Sequence, residues 1–94
     1  MSILSDSDIE RRLGDAPDWH VGEVGSIVRD FAFADFAAAI AFVNRVAEAA
    51  ELANHHPDML VHGWNKVRLS CSTHSQGGLT DADFHLAAQI DRLA

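Results

Sequence analysis

The sequence predicts an α+β domain: a four-stranded, mostly antiparallel sheet with three helices on one face, in the order α-β-β-α-β-β-α. Three observations predict it. Strand-like runs arrive in consecutive pairs, and stretches of helical periodicity separate those pairs. Ninety-four residues with a 48% hydrophobic share are enough for one core and too few for two. Residues 1–94 are therefore read as a single domain, without internal repeat, linker or low-complexity stretch.

From Ser5 to Leu13, Ser and Asp caps precede Ile9 and Leu13, four apart, and Gly14 stops the pattern, so a short helix is expected. Asp18 to Gly22 and Ser26 to Phe33 flank a Gly-Glu-Val-Gly turn and read as a hairpin. In its second strand Ile27, Phe31 and Phe33 share one face, while Val28, Asp30 and Ala32 take the other. The apolar face needs a cover. Asp35 to about Ala53 supplies it as a helix on which Phe36, Ile40, Val43, Ala47 and Ala50 form the apolar stripe and Asn44, Arg45, Glu48 and Glu51 fall elsewhere.

Pro57 ends that helix and biases His56 toward an extended backbone. A third strand runs through Met59 to Val61. The fourth spans Lys66 to Thr73, with Val67, Leu69 and Cys71 on one face and Arg68, Ser70 and Ser72 on the other. Gly77-Gly78 breaks the chain. The last helix opens at Thr80, with Asp83 three residues on as in a capping box, and continues through Leu86, Ile90 and Leu93.

Fourteen acidic against seven basic side chains give a net charge of -7, and the basic residues are scattered, which excludes nucleic acid as a direct partner. No apolar run approaches a membrane span, and residues 1–8 have neither the basic region nor the apolar core of a secretory signal. The expected compartment is the cytoplasm. The single cysteine, Cys71, cannot form an intramolecular disulfide and reads as a small buried side chain on a strand. That placement, with no serine in a Gly-x-Ser-x-Gly turn, argues against nucleophilic catalysis.

Six histidines differ in position. His20, His62 and His85 fall inside predicted strands or a helix, whereas His55, His56 and His74 lie where elements end, the usual place of groups that meet a ligand. His55 and His56 sit between a helix end and Pro57, so the backbone aims their rings. Glu51 is four residues before His55; if the helix persists, carboxylate and imidazole share a face. The bland reading is a helix C-terminus decorated with dipole-favouring imidazoles. His74 closes the fourth strand among Ser72, Thr73, Ser75 and Gln76, whose donors could hold a polar heterocycle, or could form only a solvated loop. Asp83 lies on the inward stripe of the last helix and needs a partner. Imidazoles and carboxylates are also competent zinc ligands, but no familiar metal motif occurs, so no metal is expected.

Glu51-x-x-x-His55-His56-Pro57, Trp64-Asn65-Lys66-Val67, Ser72-Thr73-His74 and Gly78-Leu79-Thr80-x-x-Asp83, in this order, resemble the pterin-4-alpha-carbinolamine dehydratase family. Phe31-x-Phe33-x-Asp35-Phe36 and Phe42-Val43-Asn44-Arg45-Val46-Ala47 extend the resemblance upstream, over most of the chain from Trp19 to Ile90. It implies a homodimer or homotetramer that dehydrates a 4a-hydroxytetrahydropterin to the quinonoid dihydropterin without metal or bound cofactor, as in tetrahydrobiopterin recycling. It implies pterin contacts from His55, His56, Pro57, Thr73, His74 and Ser75, with Glu51 and Asp83 as supporting acids.

The chemistry agrees with histidine in such roles. Eliminating water across N5 and C4a removes one proton and delivers another, and an imidazole, with an ordinary pKa of about 6.5, can do either at neutral pH. His55 and His74 are the expected acid/base pair, with His56 binding or orienting the ring. The alternative, also implied by the resemblance, is a non-catalytic binding or assembly protein on the same fold, of the transcription-factor-dimerisation or Rubisco-assembly type. One departure is visible: Pro57 to Trp64 is one residue longer than the family spacing, and a bulge near His62-Gly63 is the expected remedy.

Overall fold

In the computed structural model, which describes residues 2–23 and 25–94, the order is α1 (Asp6–Gly14), β1 (His20–Val21), β2 (Ile27–Ala32), α2 (Phe36–Ala53), β3 (Asp58–His62), β4 (Lys66–Cys71) and α3 (Asp81–Leu93), with a single 3-10 turn at His74–Gln76. The four strands form one antiparallel sheet in the order β1-β2-β4-β3, so the architecture is the predicted one. Val24, in the middle of the expected hairpin turn, lies outside the described residues, as does Met1.

Pairing of β2 with β4, from Ile27↔Cys71 to Ala32↔Lys66, aligns Ile27 and Phe31 with Val67, Leu69 and Cys71 on the face that α2 and α3 cover. Phe42, Val46, Leu86 and Ile90 close over them, all fully buried. Each such side chain contributes about 1.5–3 kcal/mol by leaving water. Phe42 also stands 4.7 Å from Phe31 and 5.0 Å from Phe33 between ring centroids.

The stripe of α2 coincides with the expected one only at Ala50. Ala39, Phe42, Val46 and Ala50 are buried, whereas Phe36 is 54% exposed and Ile40, Val43 and Ala47 are half-buried. Alanines and large apolar residues occupy nearly every side of the first two turns, so the periodicity had little contrast, and a shift of one residue rotates the inward face by about 100°. What decides the phase is the aromatic contact of Phe42 with β2.

β1 is shorter than the five-residue strand expected, because two successive turns, Ala16 to Leu13 and Trp19 to Ala16, carry Trp19 inward, where its indole N–H donates to Asp91 at 2.8 Å. β4 stops at Cys71, and Thr73 instead forms an isolated bridge with Gly78. No bulge interrupts β3 against β4. Their register is continuous from Asp58↔Ser70 to His62↔Lys66, and the turn absorbs the longer spacing by placing Gly63 at φ 55 and Trp64 at φ 59. Among the described residues no helix is long and apolar enough to cross a membrane.

Candidate active site

Three chain ends meet at one side of the molecule: the C-terminus of α2, the segment after β4 and the N-terminus of α3. The first ends in a Schellman-type turn. Asn54 takes the left-handed conformation, φ 50 and ψ 42, the His55 amide donates back to the Ala50 carbonyl at 3.1 Å, and the Asn54 amide donates to the Glu51 carbonyl at 3.2 Å. Asparagine is one of the few side chains that adopt this backbone routinely.

That reversal changes which carboxylate meets which imidazole. The helix does not persist to His55, so Glu51 pairs with His56, Oε2 to Nε2 at 2.5 Å, both largely exposed. His55 is turned toward α3 instead. Its Nε2 lies 2.6 Å from Oδ1 of Asp83, and its side chain is 16% exposed.

Asp83 has no exposed surface, yet every lone pair it needs is engaged. Its Oδ2 accepts from the Thr80 amide at 3.0 Å, the acidic half of the capping box, and from the Thr73 hydroxyl at 2.8 Å. Thr73 thereby uses its one proton, so the 2.8 Å contact between Thr73 Oγ1 and Thr80 Oγ1 is donated by Thr80. A buried carboxylate held by three donors is fixed in place, and a fixed carboxylate fixes the ring that shares its proton.

His74 starts the 3-10 turn and is exposed, with Nε2 3.2 Å from Ser72 Oγ. His55, His56, Thr73, His74 and Ser75, all singled out in the sequence, line a depression of about 200 Å³ together with Asn54 and Ser72. Pro57 follows His56 half-buried and does not line it, and Glu51 acts from behind His56. Asn54 and Thr80 were missed as site residues, although an asparagine after a long helix is a left-handed-cap signal and a buried threonine beside a capping acid can bond sideways. Among the described residues no three His, Cys, Asp or Glu side chains converge as a metal-ligand set. Cys71 is buried, and that burial pushes its thiol up to about 12, with the charge of Asp83 adding to it, so it is not a nucleophile here.

Fold and site together define a small α+β protein that gathers three imidazoles around one polar depression and backs one of them with a buried carboxylate. The chain belongs to the pterin-4-alpha-carbinolamine dehydratase family: the family profile described as Pterin 4 alpha carbinolamine dehydratase matches residues 2–93. A protein of Chloroflexus aggregans provisionally named pterin-4-alpha-carbinolamine dehydratase is 48% identical over 93 residues, covering 99% of this chain and 98% of its own. One of Acidobacterium capsulatum with the same provisional name is 50% identical, covering 99% of each. The crystal structure of a transcriptional coactivator/pterin dehydratase from Brucella melitensis superposes with a TM-score of 0.92 at 31% identity over 99% of both chains. A pterin dehydratase-like protein described as a RuBisCO assembly factor in the alpha-carboxysome superposes with a TM-score of 0.69 at 26% identity, over 82% of this chain and 89% of that one.

Proposed function

We propose that the chain is a hydro-lyase that dehydrates 4a-hydroxytetrahydropterin to the quinonoid dihydropterin by histidine general acid/base catalysis, in recycling of a tetrahydrobiopterin-type cofactor. The observation that carries this reading is the buried Asp83–His55 pair on the depression that His74 also lines. In the reaction the N5–H and C4a–OH bonds break, a C4a=N5 double bond forms and water leaves. One proton is taken and one is given, so no redox partner enters the balance.

Because Asp83 accepts the Nε2 proton of His55, the neutral ring carries its lone pair at Nδ1, the nitrogen that takes the N5 proton. His74, beside the Ser72 hydroxyl, is the group that delivers a proton to the departing hydroxyl. His56, oriented by Glu51 and stiffened by Pro57, holds the ring with the Ser75 hydroxyl, while Thr73, whose hydroxyl is committed to Asp83 and Thr80, lines the depression and acts through that carboxylate. Membership of the family, together with all three histidines, supports this enzyme.

The test is to generate the carbinolamine with a pterin-dependent hydroxylase and follow its disappearance with wild type, His55→Ala and His74→Ala. Wild type accelerates the loss, and each variant falls by about 100-fold or more. A wild type without effect would sink the enzymatic reading, and full activity in both variants would sink the assigned roles.

A second reading, a binding or assembly protein acting in the cytoplasm as a homodimer or homotetramer or on a protein partner, is supported by the descriptions of the two solved relatives and by the 90% exposure of Leu52 on α2. Sedimentation of the purified chain reads its assembly state.

A further inference from the structure

Each of the three imidazoles on the depression is held at the same atom, Nε2: His55 by Asp83 at 2.6 Å, His56 by Glu51 at 2.5 Å and His74 by Ser72 at 3.2 Å. Two of these partners are carboxylates, and the third is a neutral hydroxyl. Among the described residues, Nδ1 has no hydrogen-bond partner on any of the three rings. That nitrogen is left to the substrate.

The chain around His74 fixes where its ring begins, but not where the ring points. Thr73 bridges to Gly78, the Gln76 amide donates to the Thr73 carbonyl at 3.0 Å, and the Gly77 amide donates to the His74 carbonyl at 3.2 Å, so the backbone is pinned on both sides. The imidazole itself is exposed, and Ser72 is its one side-chain hydrogen-bond partner among the described residues. An exposed ring with two free torsions spreads over several rotamers, whereas a proton donor must stand within about 2.6–3.2 Å of the atom it serves. Ser72 is placed to remove that freedom. Alternation along the extended chain sends Thr73 inward to Asp83 and Ser72 to the opposite side, against the ring two residues on.

A hydroxyl also suits a ring that changes charge. Before the ring gives up its proton both nitrogens are protonated, and Nε2–H donates to Ser72 Oγ; once Nδ1 has delivered, Nε2–H remains and the same bond persists. No partner has to reorient during the step. We infer that Ser72 is the positioning residue of the acid: its hydroxyl holds Nε2–H of His74 and so presents Nδ1 to the departing hydroxyl. The inference rests on the dehydratase reading.

The test assays Ser72→Ala, Ser72→Thr and the double variant Ser72→Ala/His74→Ala beside wild type and His74→Ala. NMR of the same proteins without substrate reads the His74 ring nitrogens and its χ1 couplings. Ser72→Ala lowers kcat by about 3- to 10-fold with little change in KM. Ser72→Thr, which keeps the hydroxyl, regains most of that loss, and on the His74→Ala background Ser72→Ala costs nothing further. In wild type the neutral His74 ring carries its proton on Nε2 and keeps one χ1 rotamer, which Ser72→Ala averages. With an active wild type, a Ser72→Ala loss that adds in full on His74→Ala, a raised KM with kcat kept, or a neutral His74 protonated on Nδ1 overturns the role of Ser72 alone. A wild type inactive on the carbinolamine overturns the dehydratase reading and this role with it.

Discussion

Nε2 of His55 stands 2.6 Å from Oδ1 of Asp83, so the least exposed imidazole of the depression is tied to a carboxylate that has no exposed surface at all. Asp83→Asn tests this tie. With its oxygen kept toward the Thr80 and Thr73 donors, the amide turns its NH₂ toward Nε2 of His55, which must then accept, so the ring proton moves to Nδ1 and the basic lone pair there is lost. Dehydratase activity falls by about 100-fold or more, and folding stability drops by about 1–3 kcal/mol. Steady-state rates and urea unfolding read the two effects separately. Unchanged activity would remove Asp83 from the mechanism.

The threonines behind the carboxylate are graded by distance. The Thr73 hydroxyl donates directly to Asp83, and the Thr80 hydroxyl reaches it through Thr73. Thr73→Val therefore lowers kcat more than Thr80→Val does, while Thr80→Val, which keeps the backbone N–H to Asp83, costs about 1 kcal/mol of stability and less than tenfold in rate. The order of the two kcat values decides the point, and a larger loss in Thr80→Val contradicts the relay.

Asn54 gives a purely conformational prediction. At φ 50, glycine substitutes without strain, whereas a β-branched residue is strained by about 1–2 kcal/mol. Asn54→Val should lower Tm by roughly 4–16 °C and reduce activity by displacing His55 and His56, and Asn54→Gly should do little to either. Scanning calorimetry with a parallel assay checks both.

The pH dependence of stability has a sign on each side. The Cys71 thiol ionises at an ordinary value of 9.0 when unfolded and at about 12 when folded, so its contribution is whole below pH 9 and disappears as pH rises toward 12. Cys71→Val flattens that alkaline limb, and native Cys71 resists alkylation at pH 8 until urea exposes it. The Arg68 guanidinium holds the Asp30 carboxyl below its ordinary 3.8, so this pair contributes above that value and is lost as pH falls through the lower one. Both side chains are half exposed, and Asp30→Asn accordingly shifts the acid limb only slightly.

Strand pairing and element order were legible because Val67, Leu69 and Cys71 alternate with Arg68, Ser70 and Ser72, a period that permits one inward face. The histidines of the site were legible from their places at element ends. The phase of α2 was not, since Phe36 and Phe42 are equally apolar and only contact with Phe31 and Phe33 separates them. Nor was the exchange of partners between Glu51 and Asp83: spacing along a helix pairs Glu51 with His55, and the left-handed step at Asn54 breaks that spacing.

The two ends of the chain are unequal places to attach a tag. The Leu4 amide donates to the Leu79 carbonyl at 2.8 Å, and Ile3 packs on Gly78, so the leading segment is tied to the residues immediately before Thr80. A bulky fusion that pulls residues 2–4 away would loosen the support beneath Asp83 and, through it, His55. The end of α3, about 20 Å from its start at the site, is anchored through Asp91 to Trp19 and Arg29 instead, so a pull there does not act directly on the residues before Thr80.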